Sequence, residues 1–215
     1  MAGFFISLEG GDGVGKSTIA KLLFEYFNEN NYPCTLTREP GGTIGAEAIR
    51  DFILQEKTHN YGKMAEILLF SAARIDHIEE LIKPRLSDGE IVICDRFTDS
   101  TLVYQSDDNI SETFIENIND ITTDGIVPDI TFLLDIPAEL AYERRKNRYG
   151  SKDQFENQSL EIHENRREKY LNLAEKYNKR IYVIDATEET DKILETIKAI
   201  CNLWLKKHKW SLPQT

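Results

Sequence analysis

A glycine-rich segment followed by lysine and serine is the part of the sequence best suited to chemistry. Residues 10–17 match the pattern G-x-x-x-x-G-K-[ST] at every fixed position. In this pattern the glycines let the backbone turn tightly, so that its N–H groups point at phosphate oxygens. Lys16 would place its charge on the β- and γ-phosphates, and Ser17 would offer its hydroxyl to Mg²⁺. The predicted nucleotide-binding residues are Gly10, Gly11, Asp12, Gly13, Val14, Gly15, Lys16, Ser17 and Thr18.

This segment predicts a triphosphate site but leaves the phosphate acceptor open. GTPases, ATPases and small-molecule kinases share the same pattern. A guanine-reading N-K-x-D segment, expected of a GTPase switch, is absent from the sequence, in which Asn178-Lys179 is followed by Arg180 and Ile181.

An acidic and a basic residue follow the apolar run at 91–94. Asp95, at the carboxyl end of a parallel strand beside the glycine-rich segment, would hold the metal together with Ser17. Arg96 would clamp a phosphate through two parallel hydrogen bonds. A salt bridge at the end of a strand is the alternative interpretation of this pair.

Five cations lie within residues 144–152: Arg144, Arg145, Lys146, Arg148 and Lys152. The alternative is a helix C-terminus at which basic residues interact favourably with the helix dipole, but this accounts for only one or two of the five cations. The cluster predicts a mobile lid over about 144–158 that brings an arginine, Arg145 or Arg148, to the transferring phosphoryl group. The predicted catalytic residues are Lys16, Asp95, Arg96, Arg145 and Arg148.

The elements that must position these residues alternate along the chain. Apolar runs predict strands at 4–8, 34–37, 91–94, 130–134 and 181–184. Helical periodicity follows at 16–28, 45–54, 63–82, 98–105, 111–123, 137–147, 159–178 and 189–206. This alternation predicts an α/β fold, the three-layer P-loop NTPase architecture with a five-stranded parallel sheet flanked by helices. No linker divides the chain, so one domain is expected over residues 1–215.

The helix predicted at 63–82 has two different faces. Phe70, Arg74 and His77 share one face, which suits a planar heterocycle with carbonyl acceptors. The alternative is that Phe70 belongs to the core and Arg74 to a solvated face. The opposite face is predicted to be an ordinary core stripe: Leu68, Ile75 and Ile82.

Three segments carry a resemblance to a known family. They read Thr-Arg-Glu-Pro-Gly-Gly-Thr at 37–43, Leu-Phe-Ser-Ala-Ala-Arg at 69–74, and Asp-Arg-Phe-Thr-Asp-Ser-Thr-Leu-Val-Tyr-Gln at 95–105. With the glycine-rich segment they closely resemble the bacterial thymidylate kinases, over nearly the whole chain. The first and third segments are much more specific to that family than the phosphate-binding pattern.

The resemblance implies the reaction ATP + dTMP ⇌ ADP + dTDP with Mg²⁺, in dTTP biosynthesis. It implies that Phe70 stacks on thymine, that Arg74 bonds a thymine oxygen, and that Tyr104 lies where a ribose 2′-OH would project. Asp12 would approach the 3′-OH of the acceptor. The dTMP-binding residues implied in this way are Asp12, Glu39, Pro40, Arg50, Phe70, Arg74, Arg96, Thr101, Tyr104 and Gln105.

Further implications concern the lid and assembly. Members of the bacterial branch take their catalytic arginine from the lid, which agrees with Gly13 in the glycine-rich segment, although Gln154 stands where the family often has arginine. Ala186 and Thr187 would lie near adenine. A homodimer packed through helices near 44–82 is expected by analogy. Kinases acting on dUMP or CMP remain rival interpretations, and since only one methyl group separates dTMP from dUMP, dUMP is expected to be a weak substrate.

Composition limits the possible partners and location. The chain has 215 residues, a formal net charge of −11, 40% hydrophobic and 29% charged residues, so it can bury a core. The acidity argues against a broad nucleic-acid or membrane surface. The three cysteines are scattered, with no CxxC pair, which favours a reducing compartment over a disulfide scaffold or zinc site. A cytoplasmic protein is therefore expected, with ATP and dTMP as its small-molecule partners.

Overall fold

A parallel five-stranded sheet forms the centre of the molecule, as the sequence predicts. The computed structural model describes residues 3–54, 62–107, 109–149, 159–208 and 210, and of residues 146–149 it describes the backbone alone. The sheet order is β2-β3-β1-β4-β5, and every strand pair is parallel. The strands are β1 (Phe4–Glu9), β2 (Cys34–Arg38), β3 (Ile91–Asp95), β4 (Ile130–Asp135) and β5 (Ile181–Asp185).

Helices cover both faces of this sheet. Central strands of a parallel sheet are buried on both sides, and all six residues of β1 are accordingly buried. The helices are α1 (Lys16–Glu29), α2 (Ile44–Leu54), α3 (Gly62–His77), α4 (Lys83–Ser87), α5 (Thr98–Gln105), α6 (Glu112–Thr123), α7 (Ala138–Tyr149), α8 (Leu160–Lys176) and α9 (Thr190–Lys207). None of the helices in the described ranges is long and apolar enough to cross a membrane.

The helix predicted at 63–82 differs from the structure in its last turn. After α3, residues Ile78–Ile82 form a π-helical segment, and the chain then continues into α4. This wider turn lies just before Pro84, which has no N–H to donate to the helix.

The predicted core stripe on this helix is wrong for two of its three members. Leu68 is 55% exposed and Ile75 is 45% exposed, whereas Ile82 is fully buried. The helix packs on α5 and α6 and buries the face that carries Arg74 and His77. The polar residues therefore face the body of the protein, and the apolar stripe faces outward.

The carboxyl ends of three neighbouring strands meet at one edge of the sheet. Asp95 at the end of β3 lies in register with Leu8 of β1 and Arg38 of β2. The strand order changes direction around β1, which is the place where α/β proteins bind ligands. The residues that follow β1, β2 and β3 are the predicted site segments, so the topology brings them together.

Candidate active site

The glycine-rich segment wraps around the Lys16 ammonium group. Lys16 Nζ donates to the carbonyl oxygens of Gly10 and Gly11, at 3.0 and 2.6 Å. Burial and the nearby Arg96 lower the pKa of Lys16 to about 8, although three carboxylates oppose them. Gly13 has φ +85°, and a Cβ there would lie 2.4 Å from the Cγ of Arg145. Helix α7 therefore rests directly on this segment, and only glycine fits at the contact.

Ser17 and Asp95 are brought together, as predicted. The Ser17 hydroxyl donates to Asp95 Oδ2 at 2.5 Å, although the residues are 78 positions apart. A hydroxyl and a carboxylate oxygen side by side are the hard ligands that Mg²⁺ accepts, and this ion commonly uses only one or two carboxylates and keeps several waters. In the described part of the chain there is no group of three His, Cys, Asp or Glu residues that would hold a metal ion on its own.

Arg96 occupies the junction between the glycine-rich segment and the rest of the site. Its backbone is left-handed, with φ 73°, and its side chain turns back toward β1. Nη2 donates to Asp12 Oδ1 at 2.7 Å, Nη1 donates to Gly10 O at 3.0 Å, and the guanidinium carbon lies 5.1 Å from the centre of the Tyr104 ring. Tyr104 in turn donates its hydroxyl to Asp12 Oδ2 at 3.2 Å.

Asp12 is surrounded by positive charge. Burial alone would raise its pKa, but Arg96, Lys16 and Arg145 together hold the pKa of this carboxyl well below its usual value. The Arg145 guanidinium approaches to 3.9 Å. Asp12 therefore stays ionised between the glycine-rich segment and Tyr104.

A buried polar network lies on the acceptor side. Arg74 is 3% exposed, and its Nε donates to Glu39 Oε2 at 2.7 Å. Nη2 donates to the Thr101 hydroxyl at 2.8 Å, and Nη1 to Asn119 Oδ1 at 3.2 Å. Glu39 also contacts the ring of His77 at 3.1 Å. Arg74 is neither solvated nor a lone core residue, because it is held in one orientation by three elements.

The remaining acceptor residues lie around this network. Arg50 of α2 donates to Pro40 O at 2.6 Å and is half-buried. Phe70 is half-buried on the same face of α3 as Arg74, and Gln105 is buried at the end of α5. Among the predicted dTMP-binding residues, the structure thus brings together three groups in direct contact: Arg74 with Glu39 and Thr101, Arg96 with Asp12 and Tyr104, and Arg50 with Pro40.

The structure describes only part of the segment predicted to form a lid. Arg144 donates to Ala186 O at 2.8 Å, and a cleft lined by Gly13, Thr18 and Thr187 opens beside it. This is the side predicted to hold adenine. The side chains of Lys146 and Arg148, and the rest of the predicted lid at 150–158, lie outside the described residues.

Four polar residues at the site were missed by sequence reasoning: Glu9, Ser100, Asn119 and Tyr170. Glu9 ends β1, and burial together with Asp99 raises its pKa to about 7. Glu9 could have been predicted from the sequence, because it directly precedes the glycine-rich segment. Tyr170 and Asn119 gave none, because each lies in an ordinary amphipathic helix and reaches the site only through the tertiary fold.

Comparison with known proteins identifies the family to which the chain belongs. The sequence profile of the family described as "Thymidylate kinase" matches residues 8–197. A thymidylate kinase of Bartonella quintana (strain Toulouse) is 47% identical over 206 residues, covering 94% of this chain and 96% of the relative. One from Bartonella henselae (strain Houston 1) is 44% identical over 207 residues, with the same coverage. A crystal structure of thymidylate kinase from Ehrlichia chaffeensis superposes with a TM-score of 0.74 at 32% identity, covering 94% of this chain and 99% of that one. The profile and the two relatives each span most of the chain, and the chain therefore belongs to the thymidylate kinase family.

Proposed function

We propose that this protein transfers the γ-phosphoryl group of Mg-ATP to dTMP, giving dTDP and ADP on the route to dTTP. The observation that carries the proposal is the position of Arg96. Its guanidinium donates to Asp12 of the glycine-rich segment at 2.7 Å and to the hydroxyl of Tyr104, on the acceptor side, at 3.2 Å. One cation thus lies between the donor and acceptor half-sites, where the transferring group must pass.

Each half-site has a task in the proposed reaction. The backbone of residues 10–18 and Lys16 hold the triphosphate, while Arg50 and Arg96 hold the phosphate of the acceptor. Lys16, Arg96 and the Arg145 side chain that rests on Gly13 spread the charge that develops during transfer. The acceptor phosphate is already ionised, so no general base is required. Arg148 is a second candidate for the lid arginine.

Mg²⁺ fits the oxygen pair of Ser17 and Asp95, which would hold it directly or through its waters. The ion supplies charge neutralisation to the β- and γ-phosphates when bound. Asp95 would also keep the Ser17 hydroxyl oriented, as their 2.5 Å hydrogen bond indicates.

Recognition of thymine is assigned to the buried network on the acceptor side. Phe70 would stack on the base, and Arg74, fixed by Glu39 and Thr101, would donate to a thymine oxygen. Tyr104 would occupy the space of a ribose 2′-OH, and Asp12 would accept from the 3′-OH. Thr101 and Gln105 would complete the base pocket, with Glu39 and Pro40 as its floor.

We also infer a homodimer packed through α2 and α3. The outward stripe on α3 supports it, because Met64, Leu68 and Ile75 are 44%, 55% and 45% exposed in the isolated chain. We further propose that residues 1–215 form one functional unit with a lid near 144–158. The proposed location is the cytoplasm. The three unpaired cysteines fit a reducing compartment.

The proposal is tested by measuring ADP release from Mg-ATP with one acceptor at a time. The acceptors are dTMP, dUMP, ribo-TMP, dCMP, CMP and AMP. We expect strong turnover with dTMP and roughly 10–200-fold weaker kcat/KM with dUMP, since one methyl group separates them. Equal turnover of dUMP and dTMP would defeat the thymine-pocket assignment. Nucleotide exchange without acceptor-dependent turnover would instead favour a GTPase-type switch.

A further inference from the structure

Two hydroxyl groups brace Arg96 from the side opposite Asp12. Arg96 Nη1 donates to Ser100 Oγ at 3.0 Å and to the Tyr170 hydroxyl at 3.2 Å. Ser100 lies on α5, in the same local segment as Arg96. Tyr170 lies on α8, 74 positions away in sequence, and it is 2% exposed. Helix α8 therefore contacts the Arg96 guanidinium through this buried hydroxyl.

Glu9 determines which way these hydroxyls point. Glu9 Oε2 accepts hydrogen bonds from Ser100 at 2.6 Å and from Tyr170 at 3.2 Å. The two hydroxyls also lie 2.9 Å from each other, and each has one proton, which it can donate to Glu9 or to the other hydroxyl. In either case, lone pairs remain on each oxygen for the guanidinium. The other carboxylate oxygen, Oε1, accepts the backbone N–H of Phe97 at 2.6 Å. Glu9 thus fixes both the hydroxyls and the backbone next to Arg96.

Arg96 needs such bracing because its backbone conformation is unfavourable. Its φ of 73° lies in the left-handed region, which is sterically unfavourable for a residue with a Cβ. Residues in this region persist when their surroundings over-determine them, and they cluster at functional sites. Asp12 accepts from Nη2 of the guanidinium, and Nη1 is held by the Gly10 carbonyl oxygen and the two hydroxyls.

We propose that Tyr170 is a positioning residue for the phosphate clamp. With Glu9 and Ser100, it orients the Arg96 guanidinium toward the phosphate of the acceptor and ties that orientation to α8. This inference rests on the proposed function, in which Arg96 holds the acceptor phosphate. The simpler alternative is that Tyr170 only fills the apolar cluster that contains Leu102, Leu133 and Leu173.

The test removes one hydroxyl and compares two acceptor-side ligands. Tyr170→Phe keeps the ring in the apolar cluster and deletes only the bonds to Glu9, Ser100 and Arg96. We expect KM for dTMP to rise roughly five- to tenfold, the effect of about one net hydrogen bond. KM for ATP and the calorimetric Kd for thymidine should stay unchanged, because thymidine has no phosphate for Arg96 to hold.

Tyr177→Phe is the matched control. Tyr177 follows α8 directly, and its hydroxyl donates to Glu116 at 2.7 Å, so this variant also removes one tyrosine hydroxyl bonded to a glutamate. This variant should leave KM for dTMP, KM for ATP and the Kd for thymidine unchanged. Equal losses in the two variants, or an equal loss of dTMP and thymidine binding by Tyr170→Phe, would reduce Tyr170 to a structural role.

A double-mutant cycle tests whether Tyr170 acts through Arg96. In an Arg96→Ala background, Tyr170→Phe should cause no further loss of dTMP affinity in calorimetry, whereas additive losses would overturn the proposal. Ser100→Ala should reproduce the selective loss of dTMP binding if Tyr170→Phe folds poorly. Failure of the wild-type protein to phosphorylate dTMP would defeat the proposed function itself, and the comparison of dTMP with thymidine binding would still test Tyr170.

Discussion

The proposed donor and acceptor halves of the site are built in opposite ways. The donor half is one continuous segment, residues 10–18, whose backbone and Lys16 make the cradle, with Lys16 bonded to carbonyls five and six positions away. The acceptor half is made of side chains from separate elements, and Arg74 alone contacts partners 35, 45 and 27 positions away. A local site is specified by a short pattern, whereas a dispersed site depends on how the elements pack.

This contrast predicts two kinds of functional damage. Changes in the donor half should lower turnover with every acceptor, because all acceptors share the same triphosphate. Changes in the acceptor half should alter the choice between acceptors and leave ATP use largely intact. A donor-half variant that changes acceptor selectivity, or an acceptor-half variant that weakens ATP use, would contradict this contrast between the two halves.

The largest effect is expected for Lys16→Ala. Removing the charge on the β- and γ-phosphates should lower kcat by roughly 10²–10³-fold, the range seen when one transition-state donor is lost. The same factor should appear with dTMP and with dUMP, measured as steady-state ADP release. Lys21→Ala is the matched control on the same helix, since the Lys21 side chain is 72% exposed. Near-wild-type activity in Lys16→Ala would remove Lys16 from the mechanism.

Arg74→Lys should instead change acceptor selectivity. Lysine can keep a charge beside Glu39 but loses the fixed fork of donors. We expect the ratio of kcat/KM for dTMP to that for dCMP to fall roughly 10–100-fold, because dCMP presents an amino group where thymine has a carbonyl oxygen. KM for ATP should change little.

Arg180→Lys provides the control for this selectivity change. Arg180 pairs with buried Asp99 at 2.8 Å, away from the acceptor network, and so tests the cost of weakening a similar ion pair. It should leave the ratio unchanged. A selectivity ratio that falls equally in both variants would show that general destabilisation, and not thymine recognition, is being measured.

The same contrast explains what the sequence predicts. The sheet and the helices follow from local periodicity, and the structure reproduces them except at the end of the helix predicted at 63–82. The donor segment follows from a short pattern. The outward stripe of Leu68 and Ile75 was mistaken for core, because periodicity shows that a helix has two faces but not which one meets the body. Arg74 illustrates the rest. Its buried partners Glu39 and Asn119 come from other parts of the chain, so the residues alone favoured a solvated arginine. The family resemblance, not the spacing, assigned it a role.

Glu9 lies between the two halves, and its ionisation should make the free energy of unfolding depend on pH. Burial and the neighbouring Asp99 raise its pKa to about 7, against lowering by Ser100, Arg96 and the Phe97 N–H. A carboxyl whose pKa is raised in the folded state contributes stability that is complete below the unfolded value, near 4.5, and is lost as pH rises through 7. The free energy of unfolding of the wild type should therefore fall, relative to Glu9→Gln, by about 2 kcal/mol between pH 5 and pH 8.

Urea denaturation at several pH values measures this difference. The other titratable groups that face Glu9 include Lys16 and Tyr170, and both residues are retained in Glu9→Gln. The control is Glu116→Gln. Burial raises the pKa of Glu116, but hydrogen bonds from Lys176 and Tyr177 outweigh it and lower that pKa, so its contribution should be constant over this range. A flat difference for Glu9→Gln would mean that Glu9 is ionised throughout.

The smallest effect is expected for Tyr104→Ala, and it separates the sugar from the base. Its ring lies between the guanidinium groups of Arg96 and Arg166, at 5.1 and 4.4 Å, so it is fixed in place beside Asp12. A rigid ring excludes a ribose 2′-OH by occupying its space, and removing it should lower the dTMP to ribo-TMP ratio of kcat/KM by about tenfold. Overall turnover should also fall because Arg96 loses a contact, but that loss affects both acceptors and cancels in the ratio.

Tyr182→Ala, at a residue 38% exposed on β5, is the control and should leave the ratio as it is in the wild type. An unchanged ratio in Tyr104→Ala would mean that another residue excludes ribonucleotides, and that the acceptor half reads the base and the sugar with separate elements.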